Sequence, residues 1–278
     1  MKTYSTPAEF TSRQRISCPL CGRDNARIFW QCEGFRYVRC PSCSLIYQHE
    51  QPQSWELKEH YDGEYTVYEE QNEQNFLRLA LLGLKDAGFE KLEAGLPEKS
   101  ILDIGCATGA LLKHFKERGY RALGIELDSR SAEAAKARNG ITVIDRPLEE
   151  AGIADESFGL VHSSHVIEHV TDPRRLVEES YRVLKPGGCF IVTTPNSAGL
   201  QAKVFKERWR SAISDHLTLF NKKLLKRLLR ESGFEVVTVK TWGGWAIGAR
   251  PYFLKRTLDK MAKRYHFGDV VLVAGKKR

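Results

Sequence analysis

The segment Ile101-Leu-Asp-Ile-Gly-Cys-Ala-Thr-Gly-Ala-Leu-Leu112 constrains this chain more than any other. An apolar run of strand length enters a turn of small residues, and an amphipathic helix leaves it. Glycine at 105 lets the backbone turn and lets a ligand approach with no Cβ in the way. A helix beginning near Gly109 offers unpaired N–H groups and the positive end of its dipole, which suits a pyrophosphate or an amino-acid carboxylate. The dinucleotide fingerprint G-x-G-x-x-G does not fit. Counted from Gly105 the chain reads Gly-Cys-Ala-Thr-Gly-Ala and misses at the second and third glycine. Asp103, two residues before the first glycine, suits a ligand bearing an ammonium group rather than a diphosphate.

The next apolar run, Ala122-Leu-Gly-Ile-Glu-Leu-Asp128, places Glu126 at a strand end, 21 residues after Gly105. A carboxylate there can accept hydrogen bonds from both ribose hydroxyls, and Leu127 can lie against an adenine. From Ser100 onward, short apolar runs alternate with amphipathic stretches, the pattern of a mostly parallel sheet with helices on both faces. Seven strands are expected: Ser100–Ile104, Ala122–Glu126, Thr142–Ile144, Gly159–Ser163, Cys189–Thr194, Glu235–Lys240 and Asp269–Ala274. Helices are expected over Ala110–Arg118, Ser131–Asn139, Pro173–Val183 and Lys222–Ser232.

Five pieces then stand in a recognisable order: Asp103–Gly109, Gly124-Ile-Glu126, Phe158-Gly-Leu-Val161, His165-Val-Ile-Glu-His-Val170 and Leu184-Lys-Pro-Gly-Gly188. Over residues 100–195 the chain resembles the class I S-adenosylmethionine-dependent methyltransferases. The resemblance implies an α/β fold, a Rossmann-like seven-stranded mostly parallel sheet, with S-adenosyl-L-methionine as cofactor. It implies that Asp103, Gly105, Ala107, Glu126 and Leu127 line that cofactor, with Asp145 and Leu148 near the adenine and Ser163 near the methionine moiety. Two departures stand out: Ala107 replaces the family's middle glycine, and Gly159 replaces the usual aspartate after Phe158.

Four of the seven cysteines form two Cys-x-x-Cys pairs, Cys18/Cys21 and Cys40/Cys43, with 18 residues between them. Such pairs can present four thiolates tetrahedrally to a structural Zn2+, in preference to a redox dithiol or an iron–sulfur site. With all four positions filled by sulfur, the metal is closed and structural. Gly22 and Ser44, each following a second cysteine, are expected to leave N–H groups free for the sulfurs. Cys32 is expected as a small core residue; Cys106 and Cys189 fall on the cofactor loop and a strand, outside the ligand set. The organisation expected is a small zinc-ribbon-like β domain at 14–49, a helical linker or lid at 50–99 and a methyltransferase domain at 100–278.

Methyl transfer from a sulfonium is an in-line displacement that gains from orientation and dryness, and an alcohol acceptor gains from a nearby base. His165 and His216 are the candidate bases, with His169 behind them. The ubiquinone-biosynthesis O-methyltransferases carry Glu-x-x-Glu-His where this chain has His165-x-x-Glu168-His169, so a divalent ion here is a minor reading. Tyr61, Tyr65 and Tyr68 could cover the site or pack the ribbon onto the core, and the basic amphipathic stretch Arg250–Tyr265 after Trp242-Gly-Gly-Trp245 could cap an acceptor pocket or touch a membrane surface bearing a lipid-linked substrate.

The formal charge of +8 admits an anionic partner without choosing one. No apolar run nears the roughly 20 residues of a membrane span, and the N-terminus lacks a signal-peptide pattern. A soluble, cytoplasmic protein is expected. The ribbon-plus-methyltransferase layout resembles enzymes of surface-polysaccharide and secondary-metabolite pathways, which implies a small-molecule acceptor, a hydroxyl of a sugar or glycan. The competing reading is an RNA methyltransferase whose ribbon, with Phe29, Trp30, Phe35 and Tyr37 among arginines, stacks on single-stranded nucleic acid.

Overall fold

The computed structural model describes residues 12–52, 64–243 and 252–278, with backbone alone at 64–68 and 252–258. Five short strands come first: β1 (Arg13–Arg15), β2 (Arg27–Gln31), β3 (Arg36–Arg39), β4 (Ile46–Gln48) and β5 (Glu50–Pro52). Two helices follow, α1 (Glu64–Ala87) and α2 (Phe89–Glu93). The larger unit then runs β6 (Ser100–Ile104), α3 (Ala110–Glu117), β7 (Arg121–Ile125), α4 (Ser129–Asn139), β8 (Thr142–Ile144), β9 (Phe158–Ser164), α5 (Pro173–Val183) and β10 (Leu184–Pro195). It ends with α6 (Leu200–Phe205), β11 (Thr218–Leu219), α7 (Lys222–Glu231), β12 (Phe234–Trp242), α8 (Tyr252–Tyr265) and β13 (Val270–Lys277).

Seven strands form one sheet in the order β12-β13-β10-β9-β6-β7-β8. All run parallel except β13, which is antiparallel to both β10 and β12. Every expected strand and helix of this unit is present. The central strands are continuous apolar runs because both of their faces are covered. Leu102, Ile104, Val161, Phe190 and Val192 go into one apolar layer, with Leu224 and Leu228 of α7. Ile101, Leu160, Cys189 and Ile191 go into the other, with Leu111 and Leu112 of α3 and Leu84 of α1. This is the two-residue alternation of a strand read out as two layers. Side-chain caps fix where helices begin: Asp128 accepts from Ser131 N (2.7 Å), Asp172 from Arg175 N (2.9 Å), and Asn221 from Lys223 N and Leu224 N (3.0 Å each).

The absent aspartate after Phe158 has a steric cause. A Cβ at Gly159 would collide with the carbonyl oxygen of Glu98, which crosses directly over the start of β9. Gly159 N is also tied to Ser100 Oγ at 2.9 Å.

The N-terminal strands do not close on themselves. Their four-stranded sheet has the order β11-β4-β3-β2, so its edge strand, Thr218–Leu219, comes from far along the chain. Tyr37 Oη donates to His216 O (2.7 Å), and Gln48 Nε2 donates to Ser214 O (2.7 Å) and His216 O (2.9 Å). Trp30 packs edge-on against Trp209, ring centroids 6.3 Å apart. The ribbon-like unit therefore holds the segment 209–219 in place. In the stretch expected to be helical from residue 50, Glu50–Pro52 is instead a short strand paired antiparallel with β1.

Candidate cofactor and acceptor site

At the carboxyl end of β6 the chain turns at Gly105 (φ 73°), and the N–H groups of Gly105 and Cys106 both donate to Ile125 O at the end of β7 (2.8 and 3.0 Å). A Cβ at Gly105 would run into the Val166 side chain, so space and backbone conformation both demand glycine. Ala107 also lies in the left-handed region (φ 48°), where an L side chain costs about 1–2 kcal/mol. The glycine missing from the family pattern is thus missed physically, and the loop holds the strain. What holds it is Glu126. Its Oε2 accepts from Ala107 N (2.9 Å) and its Oε1 from Asp128 N (3.0 Å), which ties the loop to the end of β7. Burial pushes the Glu126 carboxyl above its usual range, against the two N–H donors that favour its charged form.

Around this loop, Leu127 and Asp145 are exposed at the ends of β7 and β8. Leu148 departs from the expectation. Its side chain is fully buried in the apolar layer with Leu176 and Val177. Ser163, at the end of β9, is fully buried, and its Oγ has no partner among the described residues. An exposed glycine turn, two strand-end carboxylates and an orphaned buried hydroxyl fit an amino-acid nucleoside. Asp103, expected to suit a ligand's ammonium group, has a protein partner. Its Oδ1 accepts from His162 Nδ1 at 2.7 Å, both groups buried, because residues 103 and 162 are register partners on β6 and β9. That cross-strand pairing was the signal that would have found His162.

The turn after β9 carries the histidines. His165 (φ 58°) is anchored by its N–H to Thr193 O (2.9 Å), and its ring is 48% exposed. His165 Nδ1 lies 3.0 Å from Glu168 Oε1, and the other Glu168 oxygen accepts from Thr194 Oγ1 at 2.9 Å. Glu168 is wholly buried. Burial opposes its ionisation, yet the bond from His165 and the surrounding imidazoles hold its carboxyl down at about 2. His169 Nδ1 donates to Asp215 O (3.0 Å) and His216 Nδ1 to Ser211 O (2.8 Å), the two rings meeting edge to face with centroids 4.7 Å apart. Burial lowers the pKa of both, that of His216 to about 4. Of the groups around Glu168, His165 contributes most to keeping the carboxylate charged.

His216, expected as a second candidate base, is only 8% exposed and is bonded to the backbone; it packs the wall behind His169. Glu168, His169 and His216 each offer a donor atom within 4.8 Å of the others, but both Glu168 oxygens already accept hydrogen bonds. The sign of the pH effect follows from His216. Between its ordinary 6.5 and its folded value near 4, the unfolded chain takes up a proton that the folded chain refuses. Stability should therefore fall as pH drops through that window, by about 3 kcal/mol from this group. Urea unfolding at neutral pH and near pH 4 checks it; a midpoint that rises on acidification contradicts it.

The four paired cysteines converge. Cys18 Sγ lies 3.4 Å from Cys43 Sγ and Cys21 Sγ lies 3.6 Å from Cys40 Sγ, with all four sulfurs within 4.8 Å of one another. Sulfurs about 2.3 Å from a tetrahedral zinc stand at such separations, so the donor set fits that metal. Gly22 and Ser44 adopt left-handed turns (φ 69° and 68°), but their N–H groups bond the carbonyls of Cys18 and Cys40 (2.8 Å each) rather than sulfur. The next residues, Arg23 and Leu45, supply the N–H groups to the sulfurs of Cys21 and Cys43. Cys32 is half-buried, while Cys106 and Cys189 are buried away from the cluster. Tyr61 and residues 244–250 lie outside the described residues, as do the side chains of Tyr65 and Tyr68 and those at the start of α8.

Residues 69–239 match the family model described as a methyltransferase domain. The chain belongs to the methyltransferase family, whose cofactor is S-adenosylmethionine. It is 29% identical over 150 residues to a protein of Mycolicibacterium smegmatis named a probable S-adenosylmethionine-dependent methyltransferase, covering 53% of this chain and 56% of that one. It is 32% identical over 109 residues to the ubiquinone biosynthesis O-methyltransferase of Pseudomonas aeruginosa, covering 37% and 47%. The chain spans about half the length of these two relatives. A SAM-dependent methyltransferase from Thermotoga maritima shares the fold, with a TM-score of 0.58 at 24% identity over 81% of this chain and 100% of that one. Among the described residues, no helix is long and apolar enough to cross a membrane.

Proposed function

We propose that this protein moves a methyl group from S-adenosylmethionine to a hydroxyl of a small-molecule acceptor, with sugars and glycans as the leading class. When bound, the cofactor supplies an electrophilic methyl group and a thioether leaving group. Gly105 and Ala107 form the turn it rests on, Glu126 takes the ribose hydroxyls, Leu127 and Asp145 flank the adenine, and Asp103 and Ser163 face the methionine end. The observation that carries the acceptor chemistry is the half-exposed His165 ring, held by Nδ1 at the carboxyl end of β9. A neutral imidazole there can take the proton of an attacking hydroxyl. His216, buried and held neutral, has no part in that step.

The RNA reading loses support in the ribbon, where Trp30 and Tyr37 are packed against Trp209 and the 213–216 backbone instead of being available to bases. Four reduced thiolates around zinc suit the cytoplasm. The test is transfer of labelled methyl to a metabolite extract and, separately, to total RNA. The expected result is label in the small-molecule fraction, with His165→Asn lowering the rate about 100-fold or more at unchanged cofactor affinity. Label in RNA, or full activity of His165→Asn, would contradict the proposal.

A further inference from the structure

We propose that Glu168 is the positioning residue of this site, holding the Nδ1–H of His165 so that the ring presents its Nε2 lone pair to the acceptor hydroxyl. The inference rests on the reading of His165 as the base. Glu168 is built in from three sides. Its Oε1 meets His165 Nδ1 at 3.0 Å, its Oε2 accepts from Thr194 Oγ1 on β10 at 2.9 Å, and its backbone oxygen accepts from Thr218 N on β11 at 3.1 Å. Its side chain is wholly buried. A carboxylate so placed costs the fold dearly unless it is partnered, and the rings facing it are those of His165, His169 and His216.

Two of those three rings spend Nδ1 on backbone carbonyls, His169 on Asp215 O and His216 on Ser211 O. His165 alone aims its Nδ1 at the carboxylate while its ring reaches solvent. The consequence is a fixed tautomer. Free imidazole favours the proton on Nε2, whereas a carboxylate at Nδ1 draws the proton there and leaves Nε2 as the acceptor atom. One proton then moves during the step, from the acceptor oxygen to Nε2, while Nδ1 keeps its own. The charge formed on the ring is stabilised by Glu168, and Thr194 keeps that carboxylate from swinging away. The unusual backbone at His165 (φ 58°) and its N–H bond to Thr193 O aim the ring along this line.

The experiment reads the ring itself, so it succeeds or fails whether or not the methyl acceptor is known. Full-length zinc-loaded protein is labelled with 15N-histidine, and His165 is assigned by its loss in His165→Asn. Long-range 15N–1H spectra followed through pH are expected to show neutral His165 protonated on Nδ1. Glu168→Gln keeps an acceptor at the same place without the charge, and should move part of the neutral His165 population to the Nε2–H tautomer. Glu168→Asp should restore the Nδ1–H tautomer. A wild-type His165 protonated on Nε2 when neutral, or a tautomer unmoved in Glu168→Gln, would overturn the proposal. The wild-type tautomer decides by itself should either variant fail to fold.

Discussion

On the reading of the four-cysteine cluster as a zinc site, replacing Cys40 with alanine should abolish zinc binding and, with it, the order of β2 to β4 and of the segment 209–219. Cys40 is fully buried, its sulfur 3.6 Å from that of Cys21. Structural zinc contributes on the order of 10 kcal/mol to small cysteine-liganded units, as much as a whole domain's ordinary stability. The ribbon's buried apolar side chains are shared with the larger unit rather than forming a core of their own. Leu20, Leu45 and Tyr47 belong to the same apolar layer as Leu224 and Leu228 of α7, and Arg227 donates to Cys43 O at 3.0 Å. Loss of the metal should therefore spread to the wall of the acceptor side through Tyr37 and Gln48, which bond the 213–216 backbone. Elemental analysis should fall from one zinc per chain to none, and amide exchange should quicken at 36–48 and 209–219 while β6, β9 and β10 stay protected. A variant with full zinc, or with unchanged exchange at 209–219, would contradict this.

Glu126→Ala should weaken S-adenosylmethionine binding by about 3 kcal/mol, on the order of a hundredfold in Kd. Two charge-assisted hydrogen bonds to a ribose would be lost. The loop would suffer as well, because Ala107 N and Asp128 N lose their acceptor and the left-handed backbone at Ala107 loses what holds it. Both effects act in the same direction. Calorimetric titration of the variant checks it, and an affinity within twofold of wild type would remove Glu126 from the ribose site.

The seven-stranded sheet was legible because its central strands are apolar on both faces and alternate with helices, two of which are opened by side-chain caps at Asp128 and Asp172. The cofactor loop was legible because glycine at 105 and an acid at 126 answer local backbone and charge requirements. What escaped the sequence was settled across long distances. The collision waiting at Gly159 comes from Glu98, and the fourth ribbon strand is two residues long, too short for any periodicity. His162 and Asp103 meet only through strand register. His165 and His216 looked alike as residues; burial and the partner of each Nδ1 separate them. The knuckle N–H donors lay one residue further on than expected, because the left-handed turn at Gly22 and Ser44 spends its own N–H on a carbonyl.

The most direct test of the account is calorimetric titration of S-adenosylmethionine into the wild-type, zinc-loaded protein. The structure's glycine turn, the Glu126 tether and the orphaned Ser163 hydroxyl predict a single saturable site, with S-adenosylhomocysteine competing for it. No saturable heat from either compound, with the protein folded and its zinc in place, would contradict the reading of this chain as a methyltransferase.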